Sequence, residues 1–194
     1  CTEDGVQTDT CTRCGDVKTQ TIKATGHQWS DWTKTADATV SGAEQQQRTC
    51  TVCGTVETKD VGEKLAPTAT VNASTVTLKA KQSTKGLKVT GLAKGDSVAT
   101  WKSTNTKVFT VKGNADGSCT LTGKKKGSAK LEITLASGLT KTVTVKVQKT
   151  AVKTSKVKVA EKKLTVKKGE KASLKATVAP FTSAQKLTYT SSNK

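Results

Sequence analysis

Apolar and polar residues alternate along much of the C-terminal two-thirds of the chain. Leu131, Ile133 and Leu135 are separated by Glu132 and Thr134, and Val143, Val145 and Val147 by Thr144 and Lys146. A period of two gives each such strand one apolar and one solvated face. Shorter stretches of the same kind stand at Val76-Thr77-Leu78, Leu87-Lys88-Val89 and Cys119-Thr120-Leu121. Turn signals lie between them at Lys94-Gly95-Asp96, Asn114-Ala115-Asp116-Gly117 and Ser137-Gly138. Abundant Thr, Val and Lys with few aromatics favour strands over helices. About seven strands in roughly 80 residues predict a small antiparallel β-sandwich.

An internal repeat extends this reading. Thr100-Trp101-Lys102-Ser103-Thr104-Asn105 recurs as Thr188-Tyr189-Thr190-Ser191-Ser192-Asn193, and Val76-Thr77-Leu78-Lys79 recurs as Leu164-Thr165-Val166-Lys167, both at an offset of 88 residues. The expected organisation is one complete sandwich over 68–148 and the N-terminal half of a second over 152–194, joined by a short polar junction at 149–156. The chain does not begin with Met, and it is expected to be a cut or processed piece of a longer one.

These residues resemble a known family. The run from Val98 through Trp101, Ser103 and Asn105 to Val108, then Asp116-Gly117, Gly123 to Ala129 and the closing strand to Val147, looks like the bacterial immunoglobulin-like domains of group two found in intimin- and invasin-type adhesins. Lys163 to Glu170, leading to Val178-Ala179-Pro180 and Tyr189 to Asn193, is similar to the opening half of the same domain. The resemblance implies an Ig-like fold, a spacer or adhesion role on a secreted or cell-surface protein, and no catalytic residues.

Residues 1–64 form a different unit. Cys11-Thr12-Arg13-Cys14-Gly15 and Cys50-Thr51-Val52-Cys53-Gly54 are two C-x-x-C-G knuckles, each flanked by strand-like arms. The unit therefore reads as two knuckle-tipped hairpins. Cys11, Cys14, Cys50 and Cys53 supply the four sulfurs of a closed tetrahedral zinc site. A second grouping draws Cys1 and His27 in with Cys11 and Cys14. Sliding the units by 39 residues sets Cys1 on Val40 and His27 on Ala66, so both outer candidates are replaced together in the second copy. In a regular hairpin, however, Cys1 and His27 lie at the base, ~20–30 Å from a tip at Cys11 and Cys14. Disulfides stapling hairpins that have almost no apolar core are the alternative to zinc. Lone Cys119, alternating with Leu121, reads as a buried core residue.

Together with the knuckles, Gly26-His27-Gln28-Trp29, followed by Trp32, resembles short cysteine-containing repeats that stand in tandem on surface proteins of Gram-positive gut bacteria. That resemblance implies an extracellular location. Trp29 and Trp32 are candidates both for plugging the joint between hairpins and for stacking on a sugar ring.

Charge at first suggests a nucleic-acid partner, since 33 Lys and Arg oppose 15 Asp and Glu for a net +18. Its distribution argues otherwise. Residues 1–64 hold seven basic and ten acidic residues, whereas residues 65–194 hold 26 and five, and all of those 26 are lysine. Without Arg forks or aromatic platforms, specific nucleic-acid recognition is not expected. The lysines suit a solvated surface or an anionic wall polymer. No apolar run approaches the roughly 18 residues of a membrane helix, so no membrane insertion is expected. One histidine, no nucleophile elbow and no phosphate-cradling loop leave no catalytic set, and the chain is not expected to be an enzyme. The fold class expected is all-β: an Ig-like β-sandwich, a truncated second one, and knuckle-tipped hairpin repeats before them. The partners expected are a glycan, a host surface or an anionic wall polymer.

Overall fold

The computed structural model describes residues 1–114 and 117–192. Ala115 and Asp116 of the expected turn, and Asn193 of the repeated phrase, lie outside the described residues. The chain divides into two compact units, Cys1–Leu65 and Ala66–Lys194. All regular structure among the described residues is β, and no helix is long and apolar enough to cross a membrane.

The first unit holds five strands: β1 Gly5–Thr10, β2 Val17–Ile22, β3 Thr33–Ala36, β4 Glu44–Thr49 and β5 Val56–Val61. The repeat is visible in their pairing. β1 and β2 pair antiparallel from Gly5↔Ile22 to Thr10↔Val17, and β4 and β5 from Glu44↔Val61 to Thr49↔Val56, the same register shifted by 39 residues. Each tip is closed in the same way. The Cys11 amide donates to the Asp16 carbonyl at 2.8 Å and the Gly15 amide to the Cys11 carbonyl at 2.8 Å; the Cys50 amide donates to Thr55 at 2.8 Å and Gly54 to Cys50 at 2.9 Å. Gly15 and Gly54 take φ of +78° and +73°, which glycine adopts without steric cost. The hairpins differ on one edge. β3 lies along β4, with Thr33 opposite Gln47 and Lys34 opposite Gln46, whereas β1 pairs with β2 alone among the described residues.

The second unit contains β6 Thr70–Val71, β7 Thr75–Lys79, β8 Ser83–Thr84, β9 Val89–Thr90, β10 Val98–Ser103, β11 Phe109–Gly113, β12 Cys119–Gly123, β13 Gly127–Leu135, β14 Thr140–Gln148, β15 Lys156–Val159 and β16 Ala176–Ala179. A four-stranded sheet β10-β13-β14-β7 and a three-stranded sheet β11-β12-β8 form an Ig-like sandwich. β7 pairs parallel to β14, from Thr75↔Thr144 to Lys79↔Gln148. The alternation read from the sequence is realised: Leu131, Ile133, Val143, Val145 and Val147 point into one core with Val76, Leu78, Leu87, Phe109, Cys119 and Leu121. The Cys119 thiol is fully buried, and burial pushes its pKa up to about 12. It packs as a small apolar side chain.

The second copy is a partial one among these residues. β15 and β16 pair antiparallel, from Lys156↔Ala179 to Val159↔Ala176, in the place that β6 and β9 hold in the first. Leu164 and Val166 correspond, at the offset of 88, to core residues Val76 and Leu78, yet they are 43% and 44% exposed. In the first copy, β11 to β14 cover those positions. The junction is nevertheless packed. The Phe181 ring lies against Gly86, where an added Cβ would stand 2.3 Å from its Cδ2, and Gln82 Nε2 donates to the Thr182 carbonyl at 2.7 Å. Val152 is buried there, and its carbonyl accepts from the Ala184 amide at 3.0 Å.

Candidate metal centre

The linker between the two hairpins decides which cysteines meet. From Gln28 to Ala36 it runs antiparallel along β4: Trp29 bridges to Cys50, the Ser30 amide donates to Thr49 at 3.0 Å, and the Thr51 amide donates to Gln28 at 2.8 Å. The tip of the second hairpin is thereby drawn back to the start of the linker, beside His27. Cys1 stands at the same place because the Gly26 amide donates to its carbonyl at 2.8 Å. Asp4 secures this base, accepting from Lys23 Nζ at 2.7 Å and from the Ala24 amide at 2.8 Å. That hydrogen bond to Lys23, with the one from Ala24, holds the Asp4 carboxyl below its ordinary range.

Cys1, His27, Cys50 and Cys53 consequently present ligand atoms that all lie within 4.8 Å of one another. Cys1 Sγ is 3.8 Å from Cys50 Sγ, and Cys53 Sγ is 3.3 Å from His27 Nδ1. A zinc tetrahedron with Zn–S near 2.3 Å has S···S edges of about 3.8 Å. A disulfide needs about 2.05 Å, and all six cysteines are free thiols. The donor set therefore fits a four-coordinate ion of zinc's preference, with three sulfurs and one imidazole nitrogen.

Electrostatics prepare the same atoms. Burial raises the Cys50 pKa, but the amides of Cys53 and Val52 and the His27 side chain outweigh it and bring the thiol down to about 6. Cys53 is lowered chiefly by the Thr55 hydroxyl, 3.1 Å from its sulfur, and by the Thr55 amide. His27 is raised by Cys50 first and Cys53 second. Thiolates gathered round an imidazole are the form in which such a set takes up a cation.

The structure groups the candidates differently from both expected sets. Cys50 and Cys53 meet Cys1 and His27, not Cys11 and Cys14, which stand exposed at the free tip of the first hairpin. Cys1 and His27 do lie at the base of the first hairpin, as hairpin dimensions predict. The linker folds back and lays the next tip on that base. The joint replacement of Cys1 and His27 by Val40 and Ala66 is the sequence feature that matches their placement side by side.

Trp29 and Trp32 pack on the second hairpin. The Arg48 guanidinium lies 4.6 Å from the Trp29 ring and 4.7 Å from the Trp32 ring, and Lys59 Nζ lies 4.1 Å from Trp32. Glu57 fixes Arg48 at 2.6 Å. The Trp29 ring also meets His27, with centroids 4.8 Å apart. Both rings are partly exposed.

No protein-family model and no curated protein matches the chain. Among solved structures, domains 4 and 5 of the S-layer protein SbsC align with 21% identity over 53% of this chain and 64% of that one, at a TM-score of 0.38. Extracellular cadherin domains 1–4 of protocadherin gamma B7 align with 13% identity over 82% of this chain and 44% of that one, at a TM-score of 0.34. The chain thus spans less than two-thirds of either structure.

Proposed function

We propose that this chain is a non-catalytic structural segment of a bacterial surface or secreted protein, in which zinc bound by Cys1, His27, Cys50 and Cys53 locks consecutive hairpins together ahead of Ig-like spacer domains. The observation that carries the reading is the convergence of four protein ligands from two repeats on one point. A site that fills all four zinc positions with side chains is the structural type, because a catalytic zinc keeps one position for water or substrate. The hairpins have few other means of holding together, since β1 and β2 are exposed along their whole length. The packed junction at Gly86 and Phe181 plays the corresponding part between the two sandwich copies. The test is amide hydrogen exchange with and without a chelator. Zinc removal is expected to expose the amides of Ser30, Thr51 and β3 while leaving the core of the sandwich protected. Unchanged exchange in the first unit would refute the metal lock.

Binding of a glycan or an anionic wall polymer is the second reading, favoured by the partly exposed Trp29 and Trp32 and by the lysine-rich second unit. A glycan screen comparing the parent with a Trp29→Ala/Trp32→Ala variant separates the two. Binding that survives high salt and disappears in the variant supports ligand recognition. Binding lost simply on adding salt reports lysine electrostatics.

A further inference from the structure

Six lysines gather at one end of the sandwich because the strands beside them start or finish there. β7 finishes at Lys79, and the Ala80 amide donates to the Gln148 carbonyl at 2.9 Å, where β14 ends. The Lys81 amide donates to the Gly123 carbonyl at 2.9 Å, where β12 ends. The Lys124 amide donates to the Val108 carbonyl at 2.8 Å, which sets the turn 124–126 next to Lys107. Gly127 then starts β13 opposite Val147, at the same end. Lys79, Lys81, Lys107, Lys124, Lys125 and Lys126 are all exposed.

The acids of the sandwich among the described residues stand elsewhere. Asp96 is tied to Ser97 and Ser137 beside the β13–β14 turn, at the opposite end of β13 from Gly127. Glu132 lies in the middle of β13, 3.8 Å from Lys102. Glu161 and Glu170 follow β15 in the partial copy. None of the six lysines forms an ion pair among the described residues. Like charges gathered without counter-charges give this end a positive potential, which a multivalent anion relieves.

We propose that this end of the sandwich binds a linear, flexible phosphodiester polyanion without bases, which crosses the 124–126 turn between Lys107 and Lys81. Lysine meets phosphate as a point charge and tolerates varied spacing, whereas fixed, bidentate geometry is read by the guanidinium fork. The 26 basic residues of 65–194 include no Arg. Phe109 is buried and Phe181 is packed against Gly86, so neither ring is free to stack on a base or to enter a lipid surface. The site rests on the anionic-polymer reading above and gives that reading a place and a chemistry.

The test titrates the full chain into fluorescently labelled poly(glycerol phosphate) over a series of salt concentrations. Lys124→Gln/Lys125→Gln/Lys126→Gln is expected to weaken binding about tenfold or more at low salt and to flatten the slope of log affinity against log salt by about two to three. Lys81→Gln/Lys107→Gln should act in the same direction, and it decides the matter if the triple variant does not fold. Lys88→Gln/Lys112→Gln/Lys141→Gln removes equal charge from elsewhere on the sandwich and should cost less than about threefold. Arg at 124–126 should retain binding. Equal losses in the turn variant and the remote variant overturn the site while leaving diffuse lysine electrostatics standing. Duplex DNA or anionic lipid vesicles bound more tightly than the polymer overturn the assignment of the partner. A wild-type chain that does not bind the polymer refutes the site and the anionic-polymer reading together.

Discussion

At the residue scale the proposed zinc site rests on four side chains whose protons would compete with the metal. Cys50 titrates near 6 and Cys53 is lowered, so at neutral pH thiolate is available where zinc needs it. Acid returns those protons to sulfur and to His27. Zinc is therefore expected to stay bound at pH 7–8 and to leave with a midpoint at or below about 6, because the bound metal itself resists protonation. A chromophoric zinc chelator followed across pH checks this. His27→Ala should weaken zinc by about 10- to 100-fold or more, whereas Cys14→Ser, remote from the cluster, should leave the first equivalent unchanged. Outside the metal centre, Asp96 offers a second pH signature. Burial opposes its ionisation, but hydrogen bonds from the Ser137 hydroxyl at 2.7 Å and from the amides of Ser137 and Ser97 lower its pKa below the ordinary 3.8. A carboxyl lowered on folding adds stability above its unfolded value, and that contribution is lost as pH falls through the folded one. Acid unfolding of the sandwich should accordingly start below pH 3.8, and Asp96→Asn should lower its melting temperature at neutral pH while flattening the acid limb.

The elements show which parts of the fold were legible in the sequence. β12, β13 and β14 follow from alternation alone, since a period of two with one buried face leaves a single register. Gly123 closes β12 where an added Cβ would lie 2.8 Å from the Lys79 carbonyl oxygen and 3.3 Å from Leu78. Gly123→Ala is expected to cost about 1–3 kcal/mol in denaturant unfolding, against near-neutrality at solvent-facing Lys146→Gln. The hairpins were legible from the knuckles and their polar arms. The edge pairing of Gln28 to Ala36 on β4 was not, because a polar linker carries no hydrophobic period to announce which strand it joins. For the same reason the metal grouping was half readable: the ligand types and the coupling of Cys1 with His27 are in the sequence, while the tip they meet depends on backbone pairing. The packed junction was equally hidden, since Gly86 and Phe181 are 95 positions apart. Gly86→Ala should displace the Phe181 ring and reduce exchange protection at the Ala184 amide, with little change in the melting of the sandwich itself.

On the scale of the whole molecule, the net charge of +18 belongs to the sandwich unit and its partial copy, while the cysteine module is slightly acidic. Lysines such as Lys146 stand on the solvated side of strands whose other face is core. In the proposed reading the first unit is joined by zinc on thiolate and imidazole, whereas the two copies of the second pack through apolar contact at Gly86 and Phe181. Mass-spectrometric mapping of alkylated thiols on the zinc-loaded native chain decides whether zinc joins the hairpins. One zinc per chain with Cys1, Cys50 and Cys53 protected, and Cys11 and Cys14 fully modified, is the expected result. Protection of Cys11 and Cys14 together with Cys50 and Cys53 in the monomer, or recovery of these cysteines as disulfides, would contradict it.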